Sequence, residues 1–483
     1  MNWSRYNTLF QSKRFGNFVY NALSNTLLEL DAAHYDSLEH LQYQKGESKS
    51  AIDSNFLALL RKNMVLVEEG EEEELLLSRQ KQHHAACFDT SRLGLTICPT
   101  LKCNFRCTYC FEPNHTNSSA MTPETVERLI SFIKSYKDIR HLSIVWYGGE
   151  PLLAFDVLCH ITEKVMGLDL CIDNFGMVTN GYLLDAKKIA RLNDLRITSI
   201  QITLDGPEEV HNTRRVLAGG GATFQRILDN IDALMSSDYK GSCAIRVNVD
   251  KKNQEKYIAL RNTLLERYKG KKLKVYAGHV NNNIGQTYNH AYILDLQEWT
   301  DFNFEQHNSN GKVPATNFYP SGNLHSICGY QLASSHQGFI VGPEGELYQC
   351  WEDAGKANMV IGNIHKDEPF TNAALQSHNS ISTDAYNDPD CRECNVLPIC
   401  GGGCANKRMR TKQFGEKGVE FCSPYKDNLT VFLKKYIEIF RKREVCEAVL
   451  NPKSGHANKP GYRTISPKQK NASAKSQPAT ETD

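Results

Sequence analysis

The spacing of apolar residues changes twice along the chain, and each change predicts a different kind of unit. Over residues 1–80, "YNTLFQSK" and "NTLLELD" alternate apolar and polar, whereas "AAHYDSLEHLQY" and "DSNFLALLRKNMVLVEE" repeat at helical spacing. That order predicts a small α+β unit with a hairpin and two helices. The acid run from Glu68 to Glu74 closes it and reads as a solvated loop or helix end. From about residue 92, short apolar runs alternate with helical stretches. The runs are "LGLTICPT", "LSIVWYGG", "FGMVTNG", "SIQITLDG", "CAIRVNVD" and "LKVYAGHV". Among the stretches between them is "TPETVERLISFIKSY", where Thr122 supplies an N-cap and Pro123 a first-turn proline. Six strand-helix units predict an α/β fold, a partial (β/α)6, TIM-like barrel. Barrels of this kind carry their chemistry at the carboxyl ends of the strands, here "YGGEP", "VTNG" and "TLDG".

Periodicity then fades. Residues 286–327 read as a connector with one helix at "DLQEWTDFNFEQH", and residues 328–425 are rich in Cys and Gly, as when metal rather than apolar burial organises a fold. An amphipathic helix occupies 426–450, and the polar tail 451–483 is expected to be disordered. The predicted units are therefore 1–85, 90–285, 286–327, 328–425, 426–450 and 451–483.

Composition narrows the function. The chain has 483 residues, too many for one core, with 40% hydrophobic and 23% charged residues and a net charge of +1. No basic run interleaves with aromatics, so a nucleic-acid partner is not expected. Neither a signal peptide nor a membrane-length apolar run is legible, so the expected setting is cytoplasmic, away from membranes. Sixteen cysteines in a reducing compartment point to metal rather than disulfides.

The first cysteine group is "CNFRCTYC": Cys103, Cys107 and Cys110. Three thiolates fall one short of a tetrahedral site. Zinc closes such a site with a fourth ligand, for which His115 is placed, whereas a [4Fe-4S] cluster held by three cysteines keeps one iron free. The C-x3-C-x2-C loop, with Tyr109 before its last cysteine and the six α/β units around it, resembles the radical S-adenosylmethionine (SAM) enzymes over residues 90–285. The resemblance implies that SAM chelates the free iron and is cleaved by one electron to a 5'-deoxyadenosyl radical that abstracts hydrogen from substrate. It implies that Gly148 and Gly149 let backbone approach SAM and that Glu150 meets its ammonium group. It places Asn180, Thr203 and Asp205 near the ribose or methionine, and Arg214 or Arg215 near the carboxylate, a solvated arginine being the alternative for either. Turn formation by Asn-Gly and Asp-Gly is the alternative for Asn180 and Asp205.

The second group is Cys328, Cys350, Cys391, Cys394, Cys400, Cys404 and Cys422. Its spacing resembles the SPASM domain, a carrier of two auxiliary [4Fe-4S] clusters. By that resemblance Cys391, Cys394, Cys400 and Cys422 complete an outer cluster, while Cys328, Cys350 and Cys404 hold an inner one whose fourth iron is either open or bound by a ligand that the sequence does not identify. A zinc knuckle is the alternative for Cys391 to Cys404. Cys87, Cys98, Cys159, Cys171, Cys243 and Cys446 read as inert thiols without a role.

SPASM-bearing relatives modify peptides and proteins, and two branches compete. One crosslinks or alters ribosomally made peptides; the other, anaerobic sulfatase maturation, oxidises a serine or cysteine to formylglycine. That second branch has an aspartate base where this chain has Trp351, with Glu352 and Asp353 close behind. The departure favours the peptide-maturase branch. So does the order of elements in residues 1–85, which resembles the winged-helix-like units that grip a leader peptide by strand addition. An electron donor such as flavodoxin or ferredoxin is implied. A non-catalytic iron-sulfur or zinc protein is the reading from another class, and the sequence assigns no catalytic acid or base.

Overall fold

The structure, a computed structural model, describes residues 1–43, 52–112, 119–280, 288–308, 338–450 and 462–465, with side chains up to residue 438 apart from 307 and 308. The N-terminal unit is built on an antiparallel meander, β2 (Asn7–Ser12), β3 (Gly16–Asn21) and β4 (Thr26–Leu30), beside a two-strand pair of β1 (Asn2–Trp3) and β5 (Leu66–Val67). Alternation gives this sheet two apolar faces. Val19, Leu28 and Leu30 pack on Leu38, Phe56 and Leu60 of helices α1 (Ala32–Tyr43) and α2 (Ser54–Lys62). Phe10, Phe18, Tyr20 and Leu27 point the other way. The expected hairpin is thus a meander.

A third helix, α3 (Glu71–Cys87), grows out of the acid run, whose glutamates suit the positive end of a helix. One of them corrects the expectation of a solvated stretch. Glu72 is buried and accepts hydrogen bonds from Ser4 Oγ, from Arg5 N at 2.9 Å and from Arg5 Nε at 3.2 Å. Periodicity does not reveal a buried acid whose partners are more than sixty residues away.

The six predicted strands appear side by side and parallel, in chain order: β6 (Arg92–Ile97), β8 (His141–Trp146), β9 (Cys171–Thr179), β10 (Ser199–Thr203), β12 (Ser242–Val249) and β13 (Leu273–His279). The short strands β7 (Phe105–Cys107) and β11 (Arg215–Leu217) pair outside this sheet. The layer between strands and helices is one apolar core, with Ile97, Ile144, Phe175, Ile202 and Ile245 from the strands. The covering helices are α4 (Pro123–Ser135), α5 (Phe155–Met166), α6 (Ala186–Arg191), α7 (Glu208–Arg214), α8 (Phe224–Ser236) and α9 (Gln254–Arg267). Thr122 caps α4, its Oγ1 accepting from Thr125 N at 3.1 Å.

Beyond α10 (Leu296–Asn308), the Cys-rich region extends the barrel sheet. β14 (Gly338–Val341) joins the barrel sheet parallel to β6, and β15 (Glu346–Tyr348) and β16 (Gly362–Asn363) follow antiparallel. Among the described residues the sheet reads β13-β12-β10-β9-β8-β6-β14-β15-β16. Two longer helices follow, α11 (Ala405–Lys412) and α12 (Tyr425–Leu450), and α12 packs Leu429, Leu433, Tyr436 and Ile437 on the Phe10 and Phe18 face. Within the span expected to be disordered, β17 (Tyr462–Ile465) pairs with β4, which corrects that expectation for these four residues. The rest of 451–483, connector residues 309–327, Cys328 and His115 lie outside the described residues. Among the described residues no helix is long and apolar enough to cross a membrane.

Candidate functional site

The three thiols of the first group sit on a loop that is held from two sides. After β6 the chain passes into β7, which pairs with β11 so that Cys107 lies opposite Arg215. Thr108 N donates to Arg214 O at 3.0 Å and Ala218 N to Asn104 O at 2.8 Å, fastening both ends of the pair. Cys103, Cys107 and Cys110 line a cavity of about 470 Å³ at the carboxyl ends of the strands. Burial pushes the Cys103 thiol up to about 12 and raises those of Cys107 and Cys110 as well. Free thiolates are therefore disfavoured here, and a bound metal is the charge that keeps such sulfurs deprotonated.

Gly148 and Gly149 line the same cavity, yet the close approach they permit is to the chain itself. A Cβ on Gly148 would stand 2.3 Å from Thr100 O, and one on Gly149 would stand 2.4 Å from the carbonyl oxygens of Leu101 and Lys102. Glu150 N closes the contact by donating to Lys102 O at 2.9 Å. The glycines thus press the second strand's loop against the cysteine loop.

Glu150 is fully buried and faces the protein, outside the cavity lining. Its carboxylate accepts from Thr179 Oγ1 at 2.6 Å, Asn180 N at 2.7 Å and Leu152 N at 3.0 Å. Asn180 and Thr203 line the cavity. Asn180 also makes the turn its Asn-Gly sequence predicts, Oδ1 accepting from Tyr182 N at 3.0 Å, while Nδ2 donates to Asn104 Oδ1 at 2.8 Å. Asp205 is buried behind the wall and accepts from Tyr109 Oη and from Asn248 N at 3.0 Å. Tyr109 in turn accepts from Arg215 Nη1 at 2.7 Å and Asn248 Nδ2 at 3.0 Å. Of the two arginines, Arg215 lines the cavity, whereas Arg214 is buried in an ion pair with Asp250 at 2.7 Å.

Several cavity residues went unread in the sequence: Glu112, Tyr147, Gln201, Arg246 and Asn248. The strand residues had a signal. Parallel strands covered on both faces read as continuous apolar runs. "SIQITL" and "CAIRVNVD" instead interleave polar residues, and the interleaved face is the one that lines the cavity. Arg246 Nε donates to Asn248 Oδ1 at 2.7 Å, which fixes both. Glu112 had none: burial pushes its carboxyl up to about 8, and among the described residues its Oε2 has no hydrogen-bond partner.

Three half-buried thiols gathered in one cavity fit a metal-bound guest. A single ion fits poorly. Among the described residues, the set of three Cys, His, Asp or Glu side chains whose ligand atoms lie within 4.8 Å of one another is His141, Cys171 and Asp173. That set lies toward the amino ends of β8 and β9, where Asp173 is already paired with Arg92 at 2.8 Å. The loop thiols are spread more widely, as the separate irons of a cluster require. A family model described as the Radical SAM superfamily matches residues 97–264.

The chain carries a radical SAM domain. Enzymes of this superfamily use a [4Fe-4S] cluster and SAM, and in this chain Cys103, Cys107 and Cys110 would hold the cluster. A cysteine-type anaerobic sulfatase-maturating enzyme of Clostridium perfringens is 25% identical over 67% of this chain and 92% of its own length. The radical SAM cyclopropyl synthase TigE of Paramaledivibacter caminithermalis is 23% identical over 70% of this chain and 74% of its own. Among solved structures, native anSMEcpe with bound AdoMet and Cp18Cys peptide superposes with a TM-score of 0.53 at 20% identity. It covers 74% of this chain and 99% of its own, and shares the fold.

The second cysteine group meets the radical SAM domain at the cavity wall. Cys350, Trp351 and Glu352 line the cavity, and the Trp351 ring lies 5.0 Å from that of Tyr147. Asp353 turns away, accepting from Asn406 Nδ2 at 2.9 Å, and burial pushes its carboxyl up to about 6. Burial raises the Cys350 thiol, and the neighbouring Asp353 and Glu352 carboxylates add to the rise, with Cys404 contributing less. Cys422 is raised first by burial, with Cys400 and Cys391 contributing. Arg408, 1% exposed, donates to Cys391 Sγ at 3.0 Å and to Gly402 O at 2.7 Å and pairs with Asp388, placing a fixed cation beside that sulfur.

Proposed function

We propose that the protein is a peptide maturase: it removes hydrogen from a ribosomally made peptide and leaves an oxidative crosslink or an altered side chain. The cavity carries the reading, because Cys103, Cys107 and Cys110 line it together with Cys350 and Trp351 of the second cysteine group. A substrate side chain entering it faces both groups. The cluster and SAM supply, when bound, the one-electron chemistry that takes a hydrogen atom from substrate.

The chain's own residues bind and orient. Arg215 is held by Tyr109 and Arg246 by Asn248, so two guanidinium groups are fixed before anything binds, and fixed donors cost no reorganisation. Gln201, Thr203 and Asn180 offer hydrogen bonds from the strand ends, while Tyr147 and Trp351 add aromatic surface to the wall. Burial keeps Glu112 protonated at neutral pH, able to donate as well as accept. Cys391, Cys394, Cys400 and Cys422, and Cys350 with Cys404 and Cys328, are proposed to hold two auxiliary clusters that carry away the electron left after hydrogen abstraction. A flavodoxin or ferredoxin is the proposed donor for the first cluster. The N-terminal unit is proposed to take the substrate's leader by strand addition.

Sulfatase maturation is the second reading, supported by the relatives named for it and by Glu352 at the cavity wall. One experiment separates the two: mass spectrometry of a short peptide encoded beside the gene, co-expressed with the enzyme. Crosslinking removes hydrogen and leaves no aldehyde. Formylglycine is captured by a hydrazide. A peptide of unchanged mass, from cells in which the enzyme carries iron, overturns the maturase reading.

A further inference from the structure

The N-terminal sheet ends on a strand that its own sequence protects with a single charge, Glu29. β4 reads "TLLEL", with no proline, lysine or glycine, and Leu27, Leu28 and Leu30 are buried. Natural sheets blunt an open edge with charges, prolines or bulges, because a flat apolar edge pairs with any strand that reaches it. Here the edge is covered from within the chain. The order β17-β4-β3-β2 makes β4 the border strand whenever β17 is absent. β17 lies antiparallel on it, with Tyr462 opposite Leu30, Arg463 opposite Glu29, Thr464 opposite Leu28 and Ile465 opposite Leu27.

The covering segment stands out from its surroundings in sequence. "YRTI" contains three strand-favouring residues, set between "PKSGHANKPG" and "SPKQKNASAKSQ". Pro460 and Pro467 bracket it, so pairing cannot extend far in either direction. Its register sets Arg463 opposite Glu29. Residues 451–461 alone separate it from α12, whose inner face already packs on the same sheet. A tether that short gives the segment an effective concentration on the order of millimolar at the edge.

We propose that residues 462–465 are an intramolecular competitor at the β4 edge: an extended peptide docks there only by displacing them. The identity of that peptide as the substrate's leader rests on the maturase reading; occupancy by the tail does not. Main-chain pairing supplies affinity with little demand on sequence, so a tail that must be displaced sets a threshold. A peptide has to match the edge better than "YRTI" does, or be held nearby by contacts elsewhere.

The test is the full-length holoenzyme carrying Arg463→Pro and Thr464→Pro together. Alternate residues of an antiparallel strand hydrogen-bond to a given neighbour, so two consecutive prolines remove whichever N–H the pairing uses. Hydrogen exchange across Leu27–Leu30 is expected to quicken in the double variant. A fluorescent peptide of residues 461–466 is expected to bind that variant ~10-fold or more tighter than the wild type, which its own tail occupies. Equal exchange, or equal peptide affinity, in the two proteins overturns the proposal. Release of 5'-deoxyadenosine from SAM without peptide is read alongside and is expected to be the same in both. Its absence from both would overturn the maturase reading and leave the exchange result standing.

Discussion

At the position of Gly149 a methyl group would meet two carbonyl oxygens, at 2.4 Å each, and both belong to backbone that no side-chain rotation can move aside. Gly149→Ala should therefore displace the cysteine loop, lowering iron bound per chain and costing ~2 kcal/mol or more in denaturant unfolding, the range for backbone strain at a packed site. Full iron content at wild-type stability would show that the loop yields freely. Glu150 makes a second residue-scale prediction. Its carboxylate serves three donors in a dry site, and an amide can present only one accepting end. Glu150→Gln is expected to cost ~1–3 kcal/mol by leaving a buried N–H or O–H unmatched, read from the shift in denaturant midpoint. Both residues were legible as important, because glycines and a carboxylate at a strand's carboxyl end are where barrels keep their chemistry. Their direction was not legible. Which way a loop carboxylate faces depends on donors from other strands, and spacing along one chain does not encode them.

At the scale of elements, α7 carries a pH dependence in His211. The ring is buried between β10 and α8, with Nδ1 accepting from Asp205 N at 3.2 Å and Nε2 lying 3.1 Å from Thr223 Oγ1. Burial holds its pKa well below the usual imidazole value, and Arg215 and Arg214 add to the depression. The folded protein keeps this histidine neutral while the unfolded chain takes a proton near pH ~6.5. Below that pH the unfolded state binds more protons, so stability should fall by ~1.4 kcal/mol per pH unit for this group, and stay level above it. His83, depressed by burial too, acts in the same direction. Denaturant unfolding between pH 8 and pH 5 should show the slope, and His211→Gln should make it shallower; an unchanged slope would remove His211 as its source. The six barrel strands were readable because each has its own apolar run bounded by turn residues. β14 was not, since "GFIV" is four residues long and its partner β6 lies far back in the chain. Local pattern gives an element's existence, while a distant neighbour decides whether so short a run becomes a strand.

For the molecule as a whole, the decisive surface is the one that joins the N-terminal sheet to the C-terminal helix. Phe10, Phe18, Tyr20 and Leu27 share a core with Leu429, Leu433, Tyr436 and Ile437, and with Val396 and Ile399 from the turn between Cys394 and Cys400. The expectation of a separate unit at 1–85 had no access to this, because its partners are hundreds of residues away in sequence. α3 adds polar ties, with His84 Nε2 2.7 Å from Asp384 Oδ2 and Arg79 donating to Leu23 O. The unit proposed to hold the peptide and the region proposed to hold auxiliary clusters therefore rest on common apolar side chains. Leu433 is fully buried at the middle of that contact. Leu433→Ala should cost ~2–5 kcal/mol, the usual range for a large-to-small change in a packed core, and the loss should fall on the junction rather than on the barrel. The expected reading is a first unfolding transition at lower denaturant, in which proteolytic protection of residues 1–87 and iron held by the second cysteine group are lost together, ahead of the barrel's near-unchanged transition. Loss of protection in residues 1–87 with the second group's iron intact would mean that the shared core joins the two regions without supporting either. The same variant bears on substrate handling: a peptide gripped by the N-terminal sheet reaches the cavity only along a path whose length this junction fixes. Turnover of the tethered substrate should then fall further than reductive cleavage of SAM alone.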